Sequence, residues 1–134
     1  MKPYFNSIDE NIIETETEYA WLGEDNIMYH LCKPNSIHDL QSSNINIEKT
    51  YNYLKGSKKN TIVDIRKIKQ VSLEARRNYA SSKNENNVSA MALIVENTFT
   101  KVLANFFIKR NKTNFPTKMF TDLDSAREWL NNNA

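Results

Sequence analysis

His30, Cys32 and His38 have the strongest claim in this chain on metal chemistry, because imidazole and thiolate donors are the usual ligands of structural zinc. On an extended segment His30 and Cys32 alternate onto one face, with His38 following closely. A structural zinc site takes four ligands in tighter pairs, and the chain holds only two histidines and one cysteine. The expectation is no metal, a buried thiol and partly exposed imidazoles. Asp64 sits at the C-terminal end of the apolar run Thr61-Ile62-Val63, where α/β folds gather ligands. It can hold a metal, accept a phosphoryl group or pair with a base. A phospho-accepting receiver would add an acidic pair after an earlier strand and a Lys-Pro step near the end. Here Pro116 precedes Lys118, so Asp64 is expected to bond turn amides or to pair with Arg66 or Arg76.

Arg76, Arg77 and Tyr79 share one helical segment and offer fork-shaped donors for a carboxylate or phosphate. One arginine is expected to lean on the sheet edge and pair with Asp64. Asn105 falls off the apolar stripe of its helix yet lies between core positions, as a structural tie or a pocket-lining amide. Lys109 and Arg110 belong to a basic stretch. Asp64, Arg76, Tyr79, Asn105, Lys109 and Arg110 together make the candidate ligand or partner surface. No serine pairs with either histidine at nucleophile spacing, so no catalytic residue and no enzyme is expected. Gly23 and Gly56 are the only glycines, which excludes glycine-rich phosphate loops, and no cofactor is expected.

These residues need elements to hold them. Residues 16–22 and 26–32 are short apolar runs joined at Gly-Glu-Asp, which reads as an antiparallel hairpin. Ile47, Tyr51 and Leu54 recur at helical spacing over 46–55, with Gly56 as the stop. The branched run 61–65 and the uncharged run 88–95 suit buried strands. Ser72 is placed to cap a helix over 72–82, and Asn97 one over 97–110. That last helix carries Phe99, Val102, Leu103, Phe106 and Phe107 as a core-facing stripe. Residues 117–120 form a last strand before a helix over 122–132 that turns Leu123, Ala126 and Leu130 inward, with Trp129 beside them. The order β-β-α-β-α-β-α-β-α predicts an α/β fold with a mixed sheet, an opening hairpin followed by parallel strands with helices packed on them. Phe99, Leu103, Phe106 and Trp129 are expected in the core.

The chain has 134 residues, 40% hydrophobic and 25% charged, ordinary usage for one domain and against disorder. The domain is expected to span 1–134 with a core at about 15–132. No apolar run approaches the ~18 residues of a membrane span. The acidic opening MKPYFNSIDE lacks the apolar core of a signal peptide, and the lone cysteine suits a reducing compartment, so a cytoplasmic location is expected. Residues 1–31 carry one base, Lys2, against seven acids, whereas five bases and no acid lie between Glu96 and Asp122. The basic block is expected to be a solvated face. Aromatics at core positions and a pI near 8.6 argue against nucleic acid.

Taken in order, the segments IVDIRKIKQVSLEARRNY, AMALIV, LANFF, FPTKMF and SAREWL resemble the small bacterial SpoIIAA-like proteins, fold relatives of the STAS and CRAL-TRIO domains. The resemblance covers about residues 15–132, and the pattern Pro116, Phe120, Ala126, Trp129 and Leu130 is its most specific part. It implies a STAS-like β/α fold in a subgroup largely without assigned function. Anti-sigma-factor antagonists with this fold carry an Asp-Ser-x-Gly turn whose serine is phosphorylated. The matching turn here is Ser72-Leu73-Glu74-Ala75, which keeps a cap in Ser72 and puts Leu73 at the phospho-acceptor position. The resemblance therefore implies a non-enzymatic binding or regulatory module acting through a protein partner or a small amphipathic ligand, with room for a homodimer. Lipid or peripheral membrane-surface binding is the alternative, by analogy with lipid-carrying relatives, and an enzyme of unknown reaction the second.

Overall fold

The computed structural model describes residues 12–110 and 113–132. In chain order its elements are β1 Ile13–Glu14, β2 Glu18–Leu22, β3 Met28–Cys32, β4 Ile37–His38, α1 Leu40–Leu54, β5 Lys59–Asp64, β6 Gln70–Val71, α2 Leu73–Tyr79, α3 Ser82–Glu85, β7 Val88–Ile94, α4 Thr98–Asn105, a π-turn Phe106–Arg110, β8 Thr117–Phe120 and α5 Leu123–Asn132. Six strands form one sheet in the order β1-β2-β3-β5-β7-β8, while β4 and β6 make a separate parallel pair. β2 and β3 are the antiparallel hairpin; β3, β5, β7 and β8 run parallel. The expected mixed sheet is thus in place, with β1, β4, β6 and α3 as short additions.

The hairpin turns where Asp25 accepts the Ile27 N–H at 3.1 Å and Asn26 adopts φ 65°. Asparagine tolerates that left-handed conformation, so Gly23 is needed for another reason. A Cβ there would lie 2.7 Å from the Tyr29 ring and 2.5 Å from Asp25 Oδ1.

Alternation along β7 explains its uncharged run. Ala90, Ala92 and Ile94 join Trp21, Tyr29, Leu31, Ile62 and the α5 residues Ala126 and Leu130 on one face. Met91, Leu93 and Val95 join Leu103, Ala104, Phe107 and Ala75 on the other. A parallel strand covered on both faces has no polar side to show.

Two helices depart from expectation. α1 begins six residues before 46, at Leu40, because Asp39 and Ser42 form a reciprocal capping box. Its buried positions are Ser43, Asn46, Ile47, Thr50 and Leu54, mostly polar, while Tyr51 is exposed. Apolar periodicity finds the later turns of this helix, through Ile47 and Leu54, and misses its first turns, where the buried residue is Ser43. In α4 the period is right and the phase is off by one. Thr100, Leu103, Ala104 and Phe107 face inward, whereas Phe99 and Val102 are 46% and 63% exposed. Phe99 is therefore not core, and Phe106 is only partly buried, under the Arg76 guanidinium at 4.6 Å. The capping box of Asn97 and Thr100 fixes the phase by turning Thr100 inward. Trp129 is partly buried against Phe120.

Candidate functional site

Between the sheet and the layer of α1, α2 and α4 lies a cavity of about 60 Å³. Strand alternation brings Glu18 from β2, His30 and Cys32 from β3, Thr61 and Val63 from β5, and Met91 and Leu93 from β7 to its sheet wall. Asn46, Ile47 and Thr50 of α1, Tyr79 of α2, Leu103 of α4 and Phe107 close it from the helix side. One end is apolar. The other is a connected set of polar side chains.

Asn46 is the centre of that set. Its Oδ1 accepts from Thr15 Oγ1 at 2.8 Å, and its Nδ2 donates to Thr17 Oγ1 and to Tyr79 Oη, each at 2.9 Å. Tyr79 Oη also lies 2.9 Å from His38 Nδ1, and the ring's tautomer decides which of the two donates. His38 Nε2 lies 3.2 Å from Ser36 Oγ on the same terms. Burial lowers the His38 pKa, partly opposed by the charge of Glu18, and keeps the ring neutral. Burial likewise pushes the Tyr79 phenol well above its ordinary value, with Glu18 adding to the effect. Asn78 of α2 donates to Ser43 Oγ and Asn44 Oδ1 of α1, each at 2.8 Å, and so holds Tyr79 against Asn46.

Glu18 and His30 form the second unit. His30 Nδ1 donates to Glu18 Oε2 at 3.0 Å, and the carboxylate side chain is only 5% exposed. Cys32 stands directly opposite Glu18 in the hairpin register. Its thiol is buried and driven well above the usual range, first by desolvation and then by the charges of Glu18 and Asp64. Beyond the cavity's edge Asn87 is buried and donates to Ile47 O and Asn84 Oδ1, while its Oδ1 has no hydrogen-bond partner.

The residues singled out from sequence are distributed unevenly. His30, Cys32, His38 and Tyr79 all line the cavity. Each imidazole is engaged with a neighbour, and among the described residues no group of three or more His, Cys, Asp or Glu is placed to hold a metal. Asp64 is buried outside it, paired to Arg66 through Nη2 at 2.7 Å and Nε at 3.0 Å, and accepting the Arg66 amide. The expected Arg76–Asp64 pair does not form. Only Ile65 separates Asp64 from Arg66, and the turn there folds Arg66 back. Arg76 instead donates to Val71 O at 3.0 Å. Asn105 is half-buried and outside the cavity lining. Lys109 and Arg110 lie in the π-turn, with side chains outside the described residues. Ser72 caps α2, its Oγ accepting the Ala75 N–H at 3.1 Å, and Leu73 after it is exposed.

Glu18, Asn46 and Thr50 were not foreseen. Glu18 was legible: in Glu-Tyr-Ala-Trp-Leu, Glu18 shares a strand face with Ala20 and Leu22, and an acid on an apolar face is a signal. No helix in the described residues is long and apolar enough to cross a membrane.

A family model described as "Domain of unknown function (DUF7793)" matches residues 20–134. No curated protein matches the chain. Among solved structures the chain is similar to an uncharacterised protein of the DUF3478 family from Shewanella loihica PV-4, which has a SpoIIAA-like fold. The two share 15% identity at a TM-score of 0.58, over 89% of this chain and 90% of the other. At that identity the likeness shows the fold.

Proposed function

The chain belongs to the DUF7793 family, and on that premise we propose that it is a non-enzymatic, STAS-like binding module that takes a small amphipathic ligand between sheet and helices and passes its occupancy to a protein partner. The observation that carries this reading is the two-ended chamber: apolar walls from Val63, Leu93, Leu103 and Phe107 meet the polar set around Asn46 and Glu18. Sites for small molecules have this make-up, mostly apolar with a few polar groups that fix orientation. Commitment of Tyr79 to His38 and to Asn46 supports recognition over proton transfer. At about 60 Å³ the cavity is smaller than the roughly 150 Å³ that admits benzene, so an acyl chain would require α4 to move away from the sheet.

Native mass spectrometry of protein taken from its own cells, followed by denaturing extraction, tests the reading. The expected result is a small molecule released in stoichiometric amount and lost from a Val63→Phe variant that fills the chamber. Release of a phospholipid or fatty acid would favour the lipid-carrying alternative. A wild-type protein with no retained molecule, and partner binding indifferent to Val63→Phe, would overturn it.

A further inference from the structure

Glu18 Oε2 is taken by His30, but Oε1 receives no hydrogen bond from any described residue, although the side chain is 95% out of solvent and lines the cavity. A carboxylate oxygen on the cavity lining that takes no hydrogen bond from the protein is open to a donor from a ligand. Most neighbouring donors are engaged elsewhere. Both Asn46 Nδ2 protons go to Thr17 and Tyr79, Tyr79 Oη shares a proton with His38 Nδ1, and the Thr50 and Thr61 hydroxyls donate to the carbonyls of Asn46 and Lys59. What this end of the chamber has left is acceptor capacity: Glu18 Oε1 and the spare lone pairs of Tyr79 Oη, Thr50 Oγ1 and Thr61 Oγ1. The cavity lining includes one carboxylate and no lysine or arginine, so an anionic head would meet an acid.

We infer that the ligand is a small primary amine, its ammonium bound at Glu18 and its short apolar body against Val63, Leu93 and Phe107. The inference rests on the binding reading above and names the chemistry of that same chamber. An ammonium is compact, carries three donors, and forms charge-assisted hydrogen bonds to a carboxylate.

Propylamine, 1-propanol and propionate share a three-carbon chain and differ mainly in the polar head. Each is titrated near neutral pH into the wild-type protein, and binding is followed by amide shifts of the lining residues in NMR. Propylamine is expected to bind about tenfold or more tighter than either isostere. Glu18→Gln, which keeps the shape and removes the charge, should erase that preference. Because wild-type selectivity needs no variant, a poorly folded Glu18→Gln protein does not spare the inference. Equal or tighter binding of 1-propanol or propionate overturns the amine and leaves the chamber a ligand site. Silence from all three overturns the amine too, and extraction from native cells then decides whether the chamber holds anything.

Discussion

Tyr79 makes a connection that its type alone would not announce: one hydroxyl joins α1 to the short β4 strand by accepting from Asn46 and sharing a hydrogen bond with His38. Tyr79→Phe keeps the ring but leaves an amide proton and an imidazole nitrogen unpaired in the interior. The expected loss is about 1–3 kcal/mol in urea unfolding. A loss under about 0.5 kcal/mol would mean that water replaces the hydroxyl and that the network is not what holds α2 on α1. This part of the site was half-legible in the sequence. Tyr79, His30, Cys32 and His38 stand out by type and spacing. Their partners Asn46, Thr17 and Thr50 are ordinary polar residues, and only the fold brings Thr17 and Asn46, 29 positions apart, within 2.9 Å. For Asp64 the sequence offers both Arg66 and Arg76, and the turn after β5 decides for Arg66.

Elements follow the sequence closely where apolar pattern and cap agree, and poorly where the buried face is polar. β5, β7, β8 and α5 have branched or apolar runs bounded by clear breaks, and each lies within a residue or two of its expected range. α1 does not, because Ser43, Asn46 and Thr50 occupy its inner face. In α4 the aromatic residues Phe99 and Phe106 suggested a stripe one residue out of phase with the buried one. Two substitutions separate the phases. Phe107→Ala should lose about 3–5 kcal/mol as a buried aromatic next to the cavity, whereas Phe99→Ala should stay within about 0.5–1 kcal/mol. Equal losses in denaturant titrations would return Phe99 to the core. At α2, Ser72→Ala should cost roughly 0.5–2 kcal/mol through the lost cap, and Ser72→Asp should be neutral or slightly stabilising at a helix N-terminus. Thermal melts showing the reverse order would contradict a capping role.

Over the whole molecule the two faces of the sheet divide the work. The α5 face packs Trp21, Tyr29, Ile62, Ile94 and Leu130 into a core of large side chains, with burial pushing the Tyr29 phenol up to about 12, while the opposite face carries the chamber and the shifted groups His38, Cys32 and Tyr79. Stability should therefore record the protonation of that second face. His38 has its folded pKa lowered from 6.5, chiefly by burial, so the unfolded chain binds the proton more readily. Its contribution is complete above pH 6.5 and is lost as pH falls through the lowered folded value. Cys32 has its folded pKa raised above 9.0, so its contribution is complete below pH 9.0 and is lost as pH rises towards the folded value. Tyr79 adds to the same alkaline limb above 10.0. Urea midpoints measured across pH should thus form a plateau between about 6.5 and 9.0 with a decline on each side. The acid decline overlaps that of the exposed caps Asp39 and Asp122 only lower down, since their folded pKa values lie below 3.8. His38→Gln removes the titrating ring and should flatten the limb just below pH 6.5 while leaving the lower carboxylate limb in place. A wild-type profile that is level from the plateau down to the carboxylate range would show that His38 takes up its proton in the folded state. The Tyr79–His38 link would then have to be redrawn with a charged ring.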